Sequence, residues 1–303
     1  MRRILTTLCV LLAIAAPVSG RADELPVTIG DLRSPESAAW HAGSSSWFVS
    51  NMGGLSFDLG PDAGDGFLSR IPRTGAVEAH WLTGIERPRG VAAGPNNLFV
   101  ALGPGANTPA GSIAVIDIAS KQVKWRIPIP GANGDLNDVV YDAVTGAVYA
   151  SAPNVDTIFK IAQPLSISPL NRVAEVFVQS SELTQPNGLV LEDGFLASAG
   201  LGLSNPTGFG GRIVRIDLLT KQITRVTDNG MGLLDGLVKD GDDYLVTEYA
   251  TGNVYRIAQD GTQSLVYKLA PGTADLGIDP VRRVIMVPET LANAVVVLPL
   301  LVL

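Results

Sequence analysis

The chain contains one cysteine and two histidines among 303 residues. A disulfide framework, a cysteine zinc site and a multi-histidine metal centre are therefore impossible within a single copy. Charge is also scarce: 17% of residues are charged, against about 25% in an average globular protein. Lys and Arg number 22 against 29 Asp and Glu, giving a net charge of −7, and basic residues never run longer than a pair. An acidic chain without a basic stripe argues against nucleic acid and an anionic membrane surface as partners. No segment sustains an amphipathic helical period over three turns, which argues against an α/β fold. What is present is turn chemistry and apolar bulk. Gly (33) and Pro (20) accompany 46% hydrophobic residues, the composition of a folded, turn-rich protein with a large core.

Residues 1–22 read as a secretory signal peptide. Arg2 and Arg3 form a basic start, Ile4 to Val18 an apolar stretch, and small residues around Ser19, Gly20 and Ala22 offer cleavage sites. The apolar stretch, about 15 residues, is shorter than the ~20 needed to span a bilayer. Cys9 lies inside it, so the mature chain carries no thiol. The expectation is a bacterial protein exported to the periplasm or secreted, with residues 23–303 forming a single domain.

The body of the chain repeats. A short apolar segment ending in a small residue recurs six times, as in Trp47-Phe48-Val49-Ser50, Val148-Tyr149-Ala150-Ser151 and Tyr244-Leu245-Val246-Thr247, with its third residue at 49, 100, 150, 197, 246 and 287. An alternating segment follows each copy, as in Gly66 to Ile71 and Gly252 to Ile257, with the period-2 pattern of a half-buried strand. A third set precedes each copy: Ser37 to His41, Arg89 to Ala93, Asp138 to Asp142, Gly188 to Leu191, Gly236 to Lys239 and Leu276 to Asp279. A fourth set follows, at Ala76 to Trp81, Gln122 to Ile127, Val173 to Val178, Gln222 to Thr227 and Gln263 to Leu269, but has only five members. Leu25 to Ile29 at the mature N-terminus can supply the sixth. This predicts an all-β, six-bladed β-propeller with four strands per blade, closed by an N-terminal strand that completes the last blade. Closure removes the open strand edges that a broken ring would expose.

Where a blade's innermost strand starts, a polar residue interrupts the apolar pattern: Glu36, Arg89, Asn137, Asn187, Asp235 and Asp275. Equivalent positions in six blades converge on the axis. The long loops between the second and third strands (Asn51 to Asp65, Leu102 to Ala110, Ala199 to Gly210) open on the same face, where sites are usually built. Glu36, Asp235, Asn137 and Asn187 form an all-oxygen set with two negative charges. That set suits Ca2+ first, with Mg2+ or Mn2+ next and Zn2+ last. Without a cation, converging carboxylates repel or take up a proton.

The ordered series Glu36, Asn137-Asp138, Asn187-Gly188-Leu189 and Asp235-Gly236 resembles the senescence marker protein/regucalcin/gluconolactonase family over roughly residues 34–298. Those proteins are six-bladed propellers with a divalent cation in the axial channel, and many hydrolyse lactones. The resemblance implies that Glu36, Asn187 and Asp235 are metal ligands. It also implies that Asn137 contacts substrate near the metal and that Asp235 is the general base. One position departs: sugar-lactone members carry an Arg two residues before the Asn of the Asn-Asp motif, and here that place is Asp135. Arg89 could supply a cation to the substrate from the neighbouring blade.

Two functions follow. One is a divalent-metal-dependent hydrolase of a lactone or related ester, in which the cation polarises a carbonyl and lowers the pKa of its water while Asp235 moves the proton. The other is a non-catalytic periplasmic propeller that binds a ligand or protein around a structural metal. The partner expected of the first is a small molecule, and a closed ring needs no second copy, so the expectation is a monomer. A Ser-His-Asp triad fails on position, because by repeat phase neither His41 nor His80 reaches the axis. Trp40, Trp47, Trp81 and Trp125 fall at strand phases and read as packing residues.

Overall fold

A computed structural model of the chain describes residues 26–54, 64–74, 76–105, 110–132, 134–203, 210–228 and 230–300. The expected signal peptide with Cys9, Leu25, and the middles of the three long loops lie outside the described residues. The order is β1 (Val27–Ile29), then blade 1 with β2 (Pro35–His41), β3 (Ser46–Asn51), β4 (Gly66–Pro72) and β5 (Glu78–Ile85). Blade 2 is β6 (Pro88–Ala93), β7 (Asn97–Leu102), β8 (Ser112–Asp117) and β9 (Gln122–Pro128). Blade 3 is β10 (Val139–Tyr141), β11 (Val148–Ala152), β12 (Thr157–Ile161) and β13 (Ala174–Gln179). Blade 4 is β14 (Pro186–Glu192), β15 (Phe195–Gly200), β16 (Ile213–Asp217) and β17 (Ile223–Arg225). Blade 5 is β18 (Leu234–Asp240), β19 (Asp243–Glu248), β20 (Asn253–Ile257) and β21 (Gln263–Lys268). Blade 6 is β22 (Gly277–Asp279), β23 (Val284–Glu289) and β24 (Ala294–Pro299).

Each blade is an antiparallel sheet, and β1 is the outer strand of blade 6, with Val27 opposite Val297 and Ile29 opposite Val295. The six-bladed, four-stranded propeller and its N-terminal closure are as the repeat predicts. The core is distributed around the ring. Each hydrophobic cluster joins two neighbouring blades: Phe99, Ile113 and Val115 of blade 2 meet Val139, Val148 and Phe159 of blade 3. Blade 6 closes on blade 1 through Val284, Met286, Val295 and Val297 against Ala38, Trp47 and Val49. Side chains such as Phe48, Phe99 and Leu98, with no exposed surface, each contribute about 1.5–3 kcal/mol through burial. The tryptophans pack as expected. Phe48 meets the Trp81 ring edge-on at 4.9 Å, Trp40 and Trp47 lie 5.3 Å apart, and Trp125 rests on the blade 2–blade 3 core.

Several boundaries differ from the sequence expectation. Strand β10 stops before Asp142, whose carboxylate accepts hydrogen bonds from the Val144 and Thr145 amides and turns the chain. Strand β17 is only three residues long, because the Val226 and Thr227 amides both point at the Ile213 carbonyl and end the ladder. The innermost strands of blades 1, 2, 4 and 5 begin earlier than expected, at Pro35, Pro88, Pro186 and Leu234. The polar residue read as a strand start is therefore inside the strand, with consequences for the site.

Candidate functional site

The innermost strand of every blade carries the same irregularity. In blade 1, Pro35 pairs with Asn51 and Ala38 with Val49, so three steps on β2 face two on β3. The same slip falls between Pro88 and Val91, Pro186 and Leu189, and Leu234 and Leu237. In blade 3 the Asn137 amide donates to Ser151 O while the Ser151 amide donates to Asp138 O. In blade 6 the Ala274 amide donates to Pro288 O, and Gly277 pairs with Met286. A β-bulge adds one residue and re-aims its side chain. The extra residue sits within Glu36-Ser37, Arg89-Gly90, Asn137-Asp138, Asn187-Gly188, Asp235-Gly236 and Ala274-Asp275. In blades 1 to 5 the first residue of the pair is the polar position of the sequence pattern; in blade 6 that place is held by Ala274, and Asp275 stands one step on, in the place of Asp138. A hydroxyl on the second strand pins three of the bulges: Ser50 Oγ accepts from the Ser37 amide at 2.9 Å, Ser151 Oγ from Asp138 at 2.8 Å and Thr247 Oγ1 from Gly236 at 2.8 Å.

Glycine follows the polar residue where neighbouring strands close in. A Cβ on Gly188 would stand 2.3 Å from Asp235 O, and one on Gly236 2.5 Å from Asp275 Cα. The innermost strands therefore touch around the axis, and their bulge residues form one electrostatic group. Glu36, Asp235, Asn187 and Asn137 are all buried. Each has a buried side-chain oxygen with no hydrogen-bond partner: Glu36 Oε2, Asn137 Oδ1, Asn187 Oδ1 and Asp235 Oδ1. The Asn187 amide orients its oxygen by donating from Nδ2 to Leu234 O at 3.3 Å.

The group holds more acid than the four-residue set. Ser37 Oγ donates to Asp275 Oδ2 at 2.5 Å. Asp138 accepts from the Val139 amide at 2.6 Å and, across the blade junction, from the Leu189 amide at 2.7 Å. Burial, followed by the neighbouring Asp275, pushes the Asp235 carboxyl up to about 8, with Arg89 and Asn187 opposing. Burial raises Asp138 to about 7 against its two backbone hydrogen bonds. Burial and Asp235 hold Glu36 well above the usual carboxylate range, and burial with Asp138 does the same to Asp275.

Arg89 is present at the axis, and it is not alone. Its Nε and Nη2 donate to Asp135 Oδ2 at 3.2 and 2.8 Å, while its Nη1 stands 3.8 Å from Glu36 Oε1. Arg87 Nη1 donates to both oxygens of the same Asp135, at 3.3 and 3.2 Å. The position where the resembled family carries Arg thus holds the carboxylate that anchors two arginines from the preceding blade. With Glu36, Asp135, Asp138, Asp235 and Asp275 ionised against Arg87 and Arg89, the centre carries a charge of −3. Buried like charges on that scale are strongly unfavourable without a counter-ion or protonation.

Tyr249 is a residue that the sequence reading missed. It directly follows β19, on the site face, and its buried hydroxyl lacks a partner in bonding geometry. Burial, then Asp235 and Glu36, raise the phenol to about 12, which places it in the field of both carboxylates. The repeat carried the signal: directly after the equivalent ends of the second strands stand Met52, Gly103, Pro153, Leu201, Tyr249 and Thr290, with a single phenol. The histidines are structural. His41 pairs with Ser44 Oγ at 2.8 Å and Pro95 O at 3.1 Å, and His80 lies 4.3 Å from the Phe67 ring.

A cation fits this chemistry. Four unpartnered oxygens, two from carboxylates and two from amides, face a centre with excess negative charge. Hard divalent ions take such donors, and Ca2+ takes 6–8 oxygens, so four from protein would leave room for water and ligand. Among the described residues no three His, Cys, Asp or Glu side chains gather as a metal-holding group; the set found here reaches four donors only by including amides.

No protein-family model matches the chain, and a search of curated proteins finds no match. Solved structures do match in fold. A gluconolactonase from Xanthomonas campestris superposes with a TM-score of 0.65 at 15% identity, covering 90% of this chain and 89% of that one. A chain of a nidogen/laminin complex gives 0.63 at 14% identity over 79% of this chain and 88% of that one. A Bacteroides thetaiotaomicron protein of unknown function gives 0.66 at 11% identity over 93% and 74%. These likenesses establish the propeller fold.

Proposed function

We propose that the protein is a divalent-cation-dependent hydrolase acting on a lactone or related ester, exported to the bacterial periplasm and working as a monomer on a small molecule. The observation that carries this reading is the set of four unpartnered oxygens on Glu36, Asn137, Asn187 and Asp235, each presented by the same β-bulge. These four residues would hold the cation, with Ca2+ the first choice and Mg2+, Mn2+ or Zn2+ the others. When bound, such a cation supplies Lewis acidity toward a carbonyl oxygen and lowers the pKa of coordinated water.

The chain's own residues supply the rest. Asp235 is the general base, its carboxylate taking a proton from the attacking water and returning it to the leaving alkoxide. Asn137 and Arg89 contact the substrate: the Asn137 amide reaches the axis from blade 3, and Arg89 presents its guanidinium from blade 2. The rigid ring keeps these groups in place without a conformational step. Fold likeness to a gluconolactonase supports the lactone class.

A second reading rests on a comparable fold likeness to a chain from a protein–protein complex: a non-catalytic propeller with a structural cation, binding its partner on the loop face. One experiment separates the two. The purified protein is assayed on a panel of lactones and esters, with chelator and then with added Ca2+, Mn2+ or Zn2+. Metal-dependent turnover that disappears in Asp235→Ala supports the hydrolase. Cation binding without turnover of any substrate assigns the binding role.

A further inference from the structure

The axial centre contains a cation of its own, Arg89, and its geometry is peculiar. Its guanidinium spends two donors on one oxygen of Asp135, at 2.8 and 3.2 Å, yet stands 3.8 Å from Glu36, beyond hydrogen-bond range. All three side chains are nearly buried, with 12%, 11% and 5% exposure. Glu36 divides its oxygens accordingly: Oε1 faces Arg89, and Oε2 has no partner. Asp135 is itself fixed from behind by Arg87, and the backbone passes close beside it at Gly103, where a Cβ would lie 2.8 Å from Asp135 Oδ1.

We infer that Asp135 and Arg89 form a charge clamp that sets the cation affinity of the axial site: Asp135 holds the Arg89 guanidinium back from Glu36, so that Glu36 keeps an oxygen free for an incoming cation. Arg89 and a divalent ion compete for the same carboxylate. With Asp135 in place, the guanidinium stays on its own blade junction and opposes the ion only through space. Without Asp135, the flexible guanidinium has Glu36 as its nearest carboxylate and would close onto it as a bidentate pair, the geometry Arg favours. Asp135 and Arg89 are thus positioning residues for the cation. The inference rests on the proposed cation site and makes its own prediction about the sign of two substitutions.

The test is calorimetric titration of Ca2+ into the chelator-treated protein at low ionic strength, with wild type, Arg89→Met, Arg89→Lys, Asp135→Asn and the Arg89→Met/Asp135→Asn double variant. Removing a unit positive charge several ångströms from a divalent ion tightens binding by about tenfold or more at the effective dielectric of a partly buried site. Arg89→Met is expected to show that gain, and Arg89→Lys, which keeps the charge, to stay within about threefold of wild type. Asp135→Asn is expected to weaken binding by about fivefold more in the wild-type background than once Arg89 is Met, where only the loss of its own charge is felt. That last comparison separates a clamp from simple loss of a negative charge, which would cost the same in both backgrounds. Equal costs, or an Arg89→Met variant no tighter than wild type, overturn the clamp while leaving the cation site intact. A wild type that binds neither Ca2+, Mg2+ nor Mn2+ overturns the site itself. If Arg89→Met does not fold by circular dichroism, Arg89→Gln, neutral and able to hydrogen-bond Asp135, is expected to show the same gain.

Discussion

Removing the charge of Asp235 has an effect that can be worked from its surroundings. Asp235 is raised to about 8 in the folded protein by burial and Asp275, and a free Asp titrates at about 3.9. A carboxyl with a raised folded pKa is protonated in both states at low pH and costs nothing there. Between about 4 and 8 the unfolded chain releases a proton that the folded chain keeps, so stability falls as pH rises through that window and levels off above the folded pKa. At about 1.4 kcal/mol per pH unit, the window from pH 5 to pH 8 costs the cation-free protein roughly 3–4 kcal/mol through this one group. Asp235→Asn keeps the shape and abolishes the term. The cation-free variant is therefore expected to gain on wild type by about 6 °C in Tm between pH 5 and pH 8, on the scaling of Tm with chain length. Saturating Ca2+ acts in the opposite direction: at about a hundredfold excess over Kd, wild type gains roughly 3 kcal/mol and Asp235→Asn gains little. Differential scanning calorimetry at pH 5, 6.5 and 8, with chelator and with Ca2+, reads both. Parallel Tm curves for the two proteins in chelator would refute the account of a strained axial carboxylate.

Three other substitutions probe separate parts of the structure. Gly188→Ala places a methyl 2.3 Å from Asp235 O, so it is expected to cost about 1–3 kcal/mol and to weaken Ca2+ binding in calorimetry; an unchanged Tm would mean that the inner strands part easily. Tyr249→Phe removes a buried hydroxyl without a bonding partner, so Tm is expected to hold or rise slightly while turnover of the best lactone falls at least tenfold; unchanged kcat and KM would show that the phenol does not meet the substrate. Deleting residues 26–30 removes β1 and leaves the β24 edge, with Val295 and Val297, uncovered; light scattering at 37 °C is expected to show aggregation, and a monomeric, cooperative melt close to wild type would refute the closure argument.

The ring was legible because its signals are local. Period-2 alternation and a recurrence of about fifty residues survive in a single sequence, and the missing sixth outer strand pointed to the N-terminus, where Val27–Ile29 pairs with Val295–Val297. The axial set was legible for the same reason: the polar interruptions at Glu36, Asn137, Asn187 and Asp235 keep phase with the repeat. The bulge that aims them was hidden, because it depends on register against the next strand, as in Pro35 opposite Asn51 and Ala38 opposite Val49. Arg89 kept phase with the axial set and Asp135 stood out as a departure from the family pattern, but their pairing, and the part of Arg87, were hidden because these contacts cross from blade 2 to blade 3, a relation that no spacing within one repeat encodes. Tyr249 was hidden differently: it lies just past a strand, where an aromatic reads as ordinary turn-side packing.

The bulges also explain why this fold tolerates so much buried acid. Strand backbone in a sheet interior has its amides committed to neighbours, leaving none for a carboxylate. Here each bulge breaks the ladder once, and amides freed near it turn to oxygen: Val139 and Leu189 to Asp138, while the amides of Ser37, Asp138 and Gly236 turn to hydroxyls. Asp138 and Asp275 are satisfied in this way, by backbone and by Ser37. Glu36 Oε2 and Asp235 Oδ1, one residue earlier in their bulges, are not. A scaffold that could have satisfied all four acids in the same manner leaves two of them open together with two amide oxygens. Unmet buried acceptors cost about 1–3 kcal/mol each, and a cost repeated at four symmetric positions is best accounted for by a ligand that recovers it on binding.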